Sequence, residues 1–397
     1  MNGRASWTEQ FPGNFLWSNA TLVCKGMVPY GAVAISDIDR ISATLEAGDV
    51  TAENWQKAWC GVAEEIESRA QEAESAGHTQ TAGQLYLRAG NYFYTGERFV
   101  PLGAEKKQLS ERAFADYHIG LKYRHPEIEF LDIPYQDGTL PALFMPARGT
   151  RSPAPTVIVF DGMDNCKEMS ILFAGLEFAK RGFNTLSVDG PGQGESLRLR
   201  GLHARHDYEV PAAAAFDAMA ARPDVDLANI FAMGYSFGGY YAARIAAREA
   251  RLKGAIALTA GHWDLAAFQR SVLEKQKREQ KKVAQSSFQF QWVVGADDPD
   301  AALKIAEDFG TKNIAHEIKV PFLVTHGEDD RIIPVENAKK LYEAIPESTP
   351  KSLRVFTARE GGAAHAHVDD RQVGISFAAD WISDVLPTRS AKKGDVA

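Results

Sequence analysis

The 397-residue sequence predicts an α/β protein, an eight-stranded and mostly parallel sheet preceded by a helical region. Three features of the chain point there. Beyond about residue 125, short β-rich runs alternate with helical ones, which calls for parallel strands joined by right-handed crossovers. Before it, residues 36–123 are rich in Ala, Glu, Gln and Leu and carry helical periodicity. Finally, Met233-Gly-Tyr-Ser-Phe-Gly-Gly239 sets a serine between glycines directly after an apolar run.

Taken in order, residues 1–125 read as an N-terminal helical domain. Thr51 is an N-cap ahead of Trp55, Trp59 and Val62 on one helix face, and residues 79–93 form a second amphipathic segment. Residues 126–390 read as the sheet domain, with strands expected at 128–134, 140–145, 156–160, 184–188, 230–233, 255–259, 321–325 and 353–357. Gln136-Asp-Gly138 is a hairpin signal, so the sheet begins antiparallel.

A mostly helical insertion, about 261–318, follows the sixth strand and contains the charge run 274–282. Such a run reads as a solvated helix face. Its flanks (Phe268, Val272, Phe288, Phe290, Trp292 and Val293) are apolar. Placed over the carboxyl ends of the strands, where open α/β sheets bind ligands, the insertion is expected to form a lid with the N-terminal helices.

A hydrophobic fraction of 45% and a charged fraction of 24% are those of a soluble globular protein. The net charge of −8 gives no electrostatic reason to expect nucleic acid or an anionic membrane as partner. Cys24, Cys60 and Cys166 are scattered, odd in number and without metal-ligand spacing, which suits a reducing compartment and neither a disulfide framework nor a metal. The first ten residues lack the apolar core of a signal peptide, so a cytoplasmic protein is expected.

The serine carries the chemistry. Gly234-Tyr-Ser-Phe-Gly238 is a G-x-S-x-G elbow between a short apolar strand and a helix of small residues, which makes Ser236 the candidate nucleophile. A serine hydroxyl at its free pKa needs a base, and the base needs an orienting acid. His326-Gly-Glu-Asp-Asp330 follows the seventh strand and makes Asp330 the candidate acid; Glu328 and Asp329 are neighbours whose ordinary role is capping. After the last strand, the glycine-rich loop 360–367, expected to be flexible, offers His365 and His367 as bases.

The oxyanion hole is expected from the backbone amides of Phe237 and Met163, with Gly162 freeing the latter to turn inward. Asp164 reads either as an Asx-type turn residue or as an auxiliary, substrate-binding acid. Cys166 reads as a packed thiol. Asp189-Gly-Pro-Gly-Gln-Gly-Glu-Ser196 shapes the loop beneath the site; it matches neither G-x-G-x-x-G nor a Walker sequence, so no nucleotide is expected.

With these residues the chain resembles the α/β-hydrolase superfamily over about residues 126–387. More narrowly it resembles the branch with an N-terminal helical domain that includes 2,6-dihydroxypseudooxynicotine hydrolase and polyketide-shortening hydrolases of pigment pathways. The motifs are Gly162-Met-Asp-Asn-Cys-Lys-Glu168, Asp189-Gly-Pro-Gly-Gln-Gly-Glu195, Asp207-Tyr-Glu209, Gly234-Tyr-Ser-Phe-Gly-Gly239 and Ala379-Asp-Trp-Ile382. The resemblance implies that the base is His365, fifteen positions before Asp380 of the Ala-Asp-Trp helix.

In the nicotine-pathway enzyme of that branch a Glu after the Gly-Gly-Leu loop is implicated in cleaving a carbon–carbon bond beside a ketone. Asp164 stands there in this chain, one methylene shorter, and Asp161 replaces the loop's first glycine. What the resemblance implies is a serine hydrolase of an aromatic or polyketide-like carbonyl compound, cleaving a C–C bond through an acyl-enzyme. Ester, thioester or lactone hydrolysis with the same triad is the alternative, and a ligand binder without turnover would call for a missing triad member. No cofactor is implied; a homodimer is.

Overall fold

The computed structural model describes residues 7–150, 152–163, 165–278 and 285–386. Five helices come first: α1 (Phe15–Lys25), α2 (Ile35–Glu46), α3 (Ala52–Ser75), α4 (Thr79–Gly96) and α5 (Ala104–Arg124). Thr51 caps α3, its hydroxyl accepting the Asn54 N–H at 3.1 Å. Helix α4 lies between α3 and α5, and two glycines set how closely. A Cβ on Gly90 would stand 2.8 Å from the Ala113 carbonyl oxygen, and one on Gly120 2.8 Å from the Leu87 nitrogen. Trp55, Trp59 and Tyr92 fill this layer in a chain of tilted ring contacts 5.2 and 6.0 Å apart.

The sheet strands are β1 (Glu129–Tyr135), β2 (Gly138–Met145), β3 (Ala154–Phe160), β4 (Asn184–Val188), β5 (Val225–Tyr235), β6 (Gly254–Leu258), β7 (Phe322–Gly327) and β8 (Lys351–Phe356). They lie in the order β1-β2-β4-β3-β5-β6-β7-β8. Only β2 runs against its neighbours, and the tight turn at Gln136 brings Tyr135 opposite Gly138. Strand β5 is longer than the sequence reading. Its first residues pair with Ala154 across an irregularity in β3, and its last, Gly234 and Tyr235, still pair with β3 and β6.

Both sheet faces are covered, as its near-continuous apolar strands require. Along β3, Val157 and Val159 face one layer, and Ile158 and Phe160 the other. The first layer holds α6 (Lys167–Ser170), a π-helical turn (Ile171–Gly175) and α7 (Leu176–Lys180), and its apolar cluster runs on into the N-terminal helices. Between β4 and β6 come α8 (Gly194–Arg198), α9 (Glu209–Ala220) and α10 (Phe237–Arg248). After β6 the insertion folds as α11 (Leu265–Arg278), α12 (Gln285–Val293) and α13 (Pro299–Ala306); α14 (Val335–Ala344) and α15 (Arg371–Val385) close the order. Part of the charge run 274–282 and the side chain of Phe288 lie outside the described residues.

A buried ion cluster joins the N-terminal helices to the sheet. Glu97, fully buried, pairs with Lys106 of α5 and with Arg198 of α8 at 2.8 Å, and Trp292 of α12 covers both cations. Among the described residues no helix is long and apolar enough to cross a membrane.

Candidate active site

Strand β5 delivers Ser236 at the head of α10 with φ 59° and ψ −123°, a conformation that costs about 1–3 kcal/mol for a residue with a Cβ. The surrounding glycines permit it. A Cβ on Gly234 would stand 2.0 Å from the Gly238 oxygen, and one on Gly238 would stand 2.6 Å from the Asp161 oxygen. On Gly239 a Cβ would meet the Thr259 oxygen at 2.1 Å. The serine spacing is therefore a packing requirement of three chain segments.

His365 meets the serine. Its Nε2 lies 2.7 Å from Ser236 Oγ, and its Nδ1 lies 2.8 Å from Asp330 Oδ2. A carboxylate only accepts, so Nδ1 carries the proton and Nε2 is free to accept the serine O–H. Asp330 Oδ1 is occupied by the amides of Ile332 and Ile333, each at 2.8 Å. Burial pushes this carboxyl up, but the attraction and hydrogen bond of His365, the nearby His326 and the Ile333 amide outweigh it and hold it below the usual range. Glu328 and Asp329 are exposed, and Glu328 accepts the Ala358 amide at 2.6 Å.

The second histidine has a different place. His367 is fully buried, takes the Thr325 hydroxyl on Nε2 at 2.9 Å and donates from Nδ1 to the Gly362 carbonyl at 2.6 Å. Burial lowers its pKa to about 4. The loop that reads as flexible in sequence is pinned instead. The Asp369 carboxylate accepts the amides of Gly362, Ala363 and Ala364 at 2.9, 3.1 and 2.9 Å, and this orders the approach to His365.

The Phe237 amide opens α10, so it has no partner within the helix and stands at the positive end of its dipole. Opposite it runs the loop after β3. A Cβ on Gly162 would stand 2.8 Å from Ser236 Cβ, so the loop and Ser236 touch. Met163 follows, half-buried, its carbonyl accepting from Gln289 Nε2 of α12 at 3.3 Å. Asp164, the candidate auxiliary acid, lies outside the described residues.

Asp161 is fully buried beneath the loop, its carboxyl accepting from the Ser170 hydroxyl and from Tyr235 Oη at 2.6 Å. Burial and the neighbouring Asp189 drive its pKa well above the carboxylate range. Cys166 is buried, and burial likewise pushes its thiol up.

Lys167 is a residue whose role the sequence did not disclose. Its ammonium lies 2.6 Å from Glu168, 2.8 Å from Glu195 and 3.3 Å from Asp189, and its amide donates to Asp189 at 2.8 Å. Among the described residues His118, Glu168 and Glu195 form the group whose ligand atoms lie close enough together to hold a cation. The Lys167 ammonium already sits against both carboxylates. Beside His365, between α1 and the loops after β7 and β8, is a cavity of about 340 Å³; Trp7, Phe15, Asn19, Leu22 and Arg331 contribute to its walls.

Against this geometry stand the comparisons with known proteins. The model of the FrsA-like esterase family matches residues 33–277, and that of the prolyl oligopeptidase family residues 173–387. A 20-hydroxy-prefusarin hydrolase of Gibberella moniliformis is 27% identical over 380 residues, covering 86% of this chain and 90% of that protein. An α/β hydrolase of Penicillium citrinum is 34% identical over 270 residues, 64% of this chain and 62% of that protein. The crystal structure of 2,6-dihydroxy-pseudo-oxynicotine hydrolase superposes with a TM-score of 0.72 at 23% identity, covering 91% of this chain and 95% of that one, which establishes a shared fold.

Proposed function

The chain belongs to the FrsA-like esterase family of α/β-hydrolases and is a hydrolase, and from that premise we propose that it is a serine hydrolase of aromatic or polyketide-like carbonyl compounds. The observation that carries the proposal is the unbroken chain Ser236 Oγ–His365 Nε2, His365 Nδ1–Asp330 Oδ2, at 2.7 and 2.8 Å.

In this reading Ser236 adds to the substrate carbonyl while His365 takes its proton. The resulting imidazolium is stabilised by Asp330, and the amides of Phe237 and Met163 hold the tetrahedral oxyanion. Collapse breaks the bond to the leaving group, which takes the proton back from His365. A water activated by His365 then releases the acid and restores the serine. For a 1,3-diketone the broken bond is C–C, and the products are a carboxylic acid and a ketone.

A second reading, ester hydrolysis through the same residues, is favoured by the esterase description of the matching family. The two differ in the leaving group, carbanion or alkoxide. Mass-spectrometric product analysis against paired aryl esters and aryl 1,3-diketones, with Ser236→Ala alongside, separates them. Diketone cleavage lost in the variant supports C–C hydrolysis, and ester cleavage alone supports the second reading. Equal turnover by both proteins rules out the serine mechanism.

A further inference from the structure

We propose that Gln289, on the insertion helix α12, is a positioning residue that sets the oxyanion hole, an inference that rests on the serine-hydrolase reading above. The two amides assigned to the oxyanion belong to separate elements, the loop after β3 and the start of α10. Helix α12 touches both. Gln289 Nε2 donates to the Met163 carbonyl at 3.3 Å, and Phe290 packs edge-on against Phe237 with 6.2 Å between ring centroids. Phe309, from the same insertion, stacks on Phe237 at 5.3 Å.

The far end of α12 is fastened independently. The Val293 carbonyl accepts the Ala204 amide at 2.7 Å, and His203 Nδ1 bonds the Trp292 carbonyl at 2.9 Å. The Trp292 ring lies over Lys106 Nζ at 4.8 Å and over the Arg198 guanidinium at 5.4 Å. Gln289 therefore reaches the loop from a held base.

The loop needs such an anchor. A segment that stabilises a negative oxygen must turn N–H groups toward it, and a carbonyl swung the same way would repel it. At one end Asp161 is held by Ser170, Tyr235 and Gln193; at the other Tyr94 Oη donates to the Asn165 carbonyl at 2.9 Å. Between them lies Gly162, with no side chain to fix it. Gln289 engages the Met163 carbonyl from the insertion side. The insertion thus does more than cover the site.

The test uses the full-length chain, an aryl ester that the wild type cleaves, and an aryl trifluoromethyl ketone whose Ser236 adduct carries an oxyanion. Gln289→Leu is expected to lower kcat about 10- to 100-fold and to weaken the inhibitor by the same factor, with KM moving less than about threefold. Gln289→Glu sets an acceptor against a carbonyl; its kcat relative to wild type is low at neutral pH and recovers as acid converts the carboxylate to a donor. Gln291→Leu, which removes bonds to the Ala296 and Asp297 carbonyls within the insertion, is the control and leaves kcat and inhibitor binding near wild type.

An unchanged kcat in Gln289→Leu overturns the proposal, as does a fall with inhibitor affinity intact or an equal fall in Gln291→Leu. If Gln289→Leu does not fold, the isosteric Gln289→Glu and its recovery in acid decide alone. Wild-type turnover that survives Ser236→Ala would instead reject the underlying serine reading.

Discussion

Replacing Asp330 by Asn removes one charge and almost no volume, and the structure determines which way the new amide faces. Asp330 Oδ1 accepts two backbone amides, from Ile332 and Ile333, both at 2.8 Å. An asparagine must leave its carbonyl oxygen there, because an NH2 group would face two N–H donors at once. Its NH2 therefore points at His365 Nδ1, where the carboxylate oxygen stood at 2.8 Å. His365 has to accept on Nδ1 and carry its proton on Nε2, and the nitrogen facing Ser236 can no longer take the serine's proton. The charge that stabilises the imidazolium is lost as well. Together these effects are expected to lower kcat by about 10⁴, or about 5 kcal/mol of barrier.

Because both amide bonds persist, the melting temperature should move by only a few degrees. The assay is steady-state hydrolysis of an activated aryl ester, with Asp329→Asn as control, since Asp329 is exposed and its backbone amide donates to the Ala363 carbonyl. A loss in Asp330→Asn of less than about tenfold, or an equal loss in Asp329→Asn, would refute the tautomer argument.

Other perturbations separate chemistry from scaffolding. His367→Asn is expected to lower stability and leave kcat within a few-fold of wild type, whereas His365→Ala abolishes turnover; kinetics beside thermal unfolding distinguish them. The pKa of His367 falls from 6.5 unfolded to about 4 folded, so the unfolded chain binds more protons between those values. The stability that this residue contributes is complete above about pH 6.5 and fades by about pH 4, roughly 3 kcal/mol in all. Urea unfolding across that range should show the slope, and a wild-type profile no steeper than that of His367→Asn would contradict it. Asp161→Asn keeps the acceptor for Tyr235 and Ser170 while removing an acid whose folded pKa is raised. Stability from such a group is lost as pH rises above the ordinary carboxylate range, about 4, so the variant should gain on wild type with rising pH, as chemical unfolding at each pH would record. Gly238→Ala drives a Cβ to within 2.6 Å of the Asp161 oxygen and 2.7 Å of the Phe160 oxygen. It should cost about 3 kcal/mol of stability, read by calorimetry, together with most of kcat.

Much of this architecture was legible in the sequence because it rests on local signals. Each of the eight strands reads as a short apolar run, and the Gly-x-Ser-x-Gly spacing follows from backbone overlaps of 2.0–2.6 Å that any Cβ would create. Other features depend on long-range placement. His365 and His367 stand two residues apart, and the residues alone could not separate them. The separation comes from the turn between them, where Ala366 and His367 have φ of 50° and 54°, sending one ring toward Ser236 and the other under Thr325. The glycines of that loop suggested mobility; the carboxylate of Asp369, further along, supplies the order. The start of β5 is not legible because Asp226 and Asn229 break the apolar run and Leu227 and Ala228 between them are exposed.

The motifs that looked separate in sequence are one mechanical unit. Gln193, in the glycine-rich segment after β4, accepts on Oε1 from the Gly190 amide and from Tyr208 of Asp207-Tyr-Glu209, at 2.9 and 2.8 Å. Its Nε2 donates to the Asp161 carbonyl at the root of the loop after β3. Asp161 in turn holds Tyr235, the residue before Ser236. Lys167 and Glu195 close the same circuit from the other side through Asp189. Buried polar groups of this kind add little net stability against an apolar core, and a single missing partner costs several kcal/mol. What they supply here is position: the loop that faces the nucleophile is tied to β4, α8 and β5 by bonds that cannot shift singly. The polar residues around Asp189 and Lys167 are thus explained by the geometry of the segments that surround Ser236.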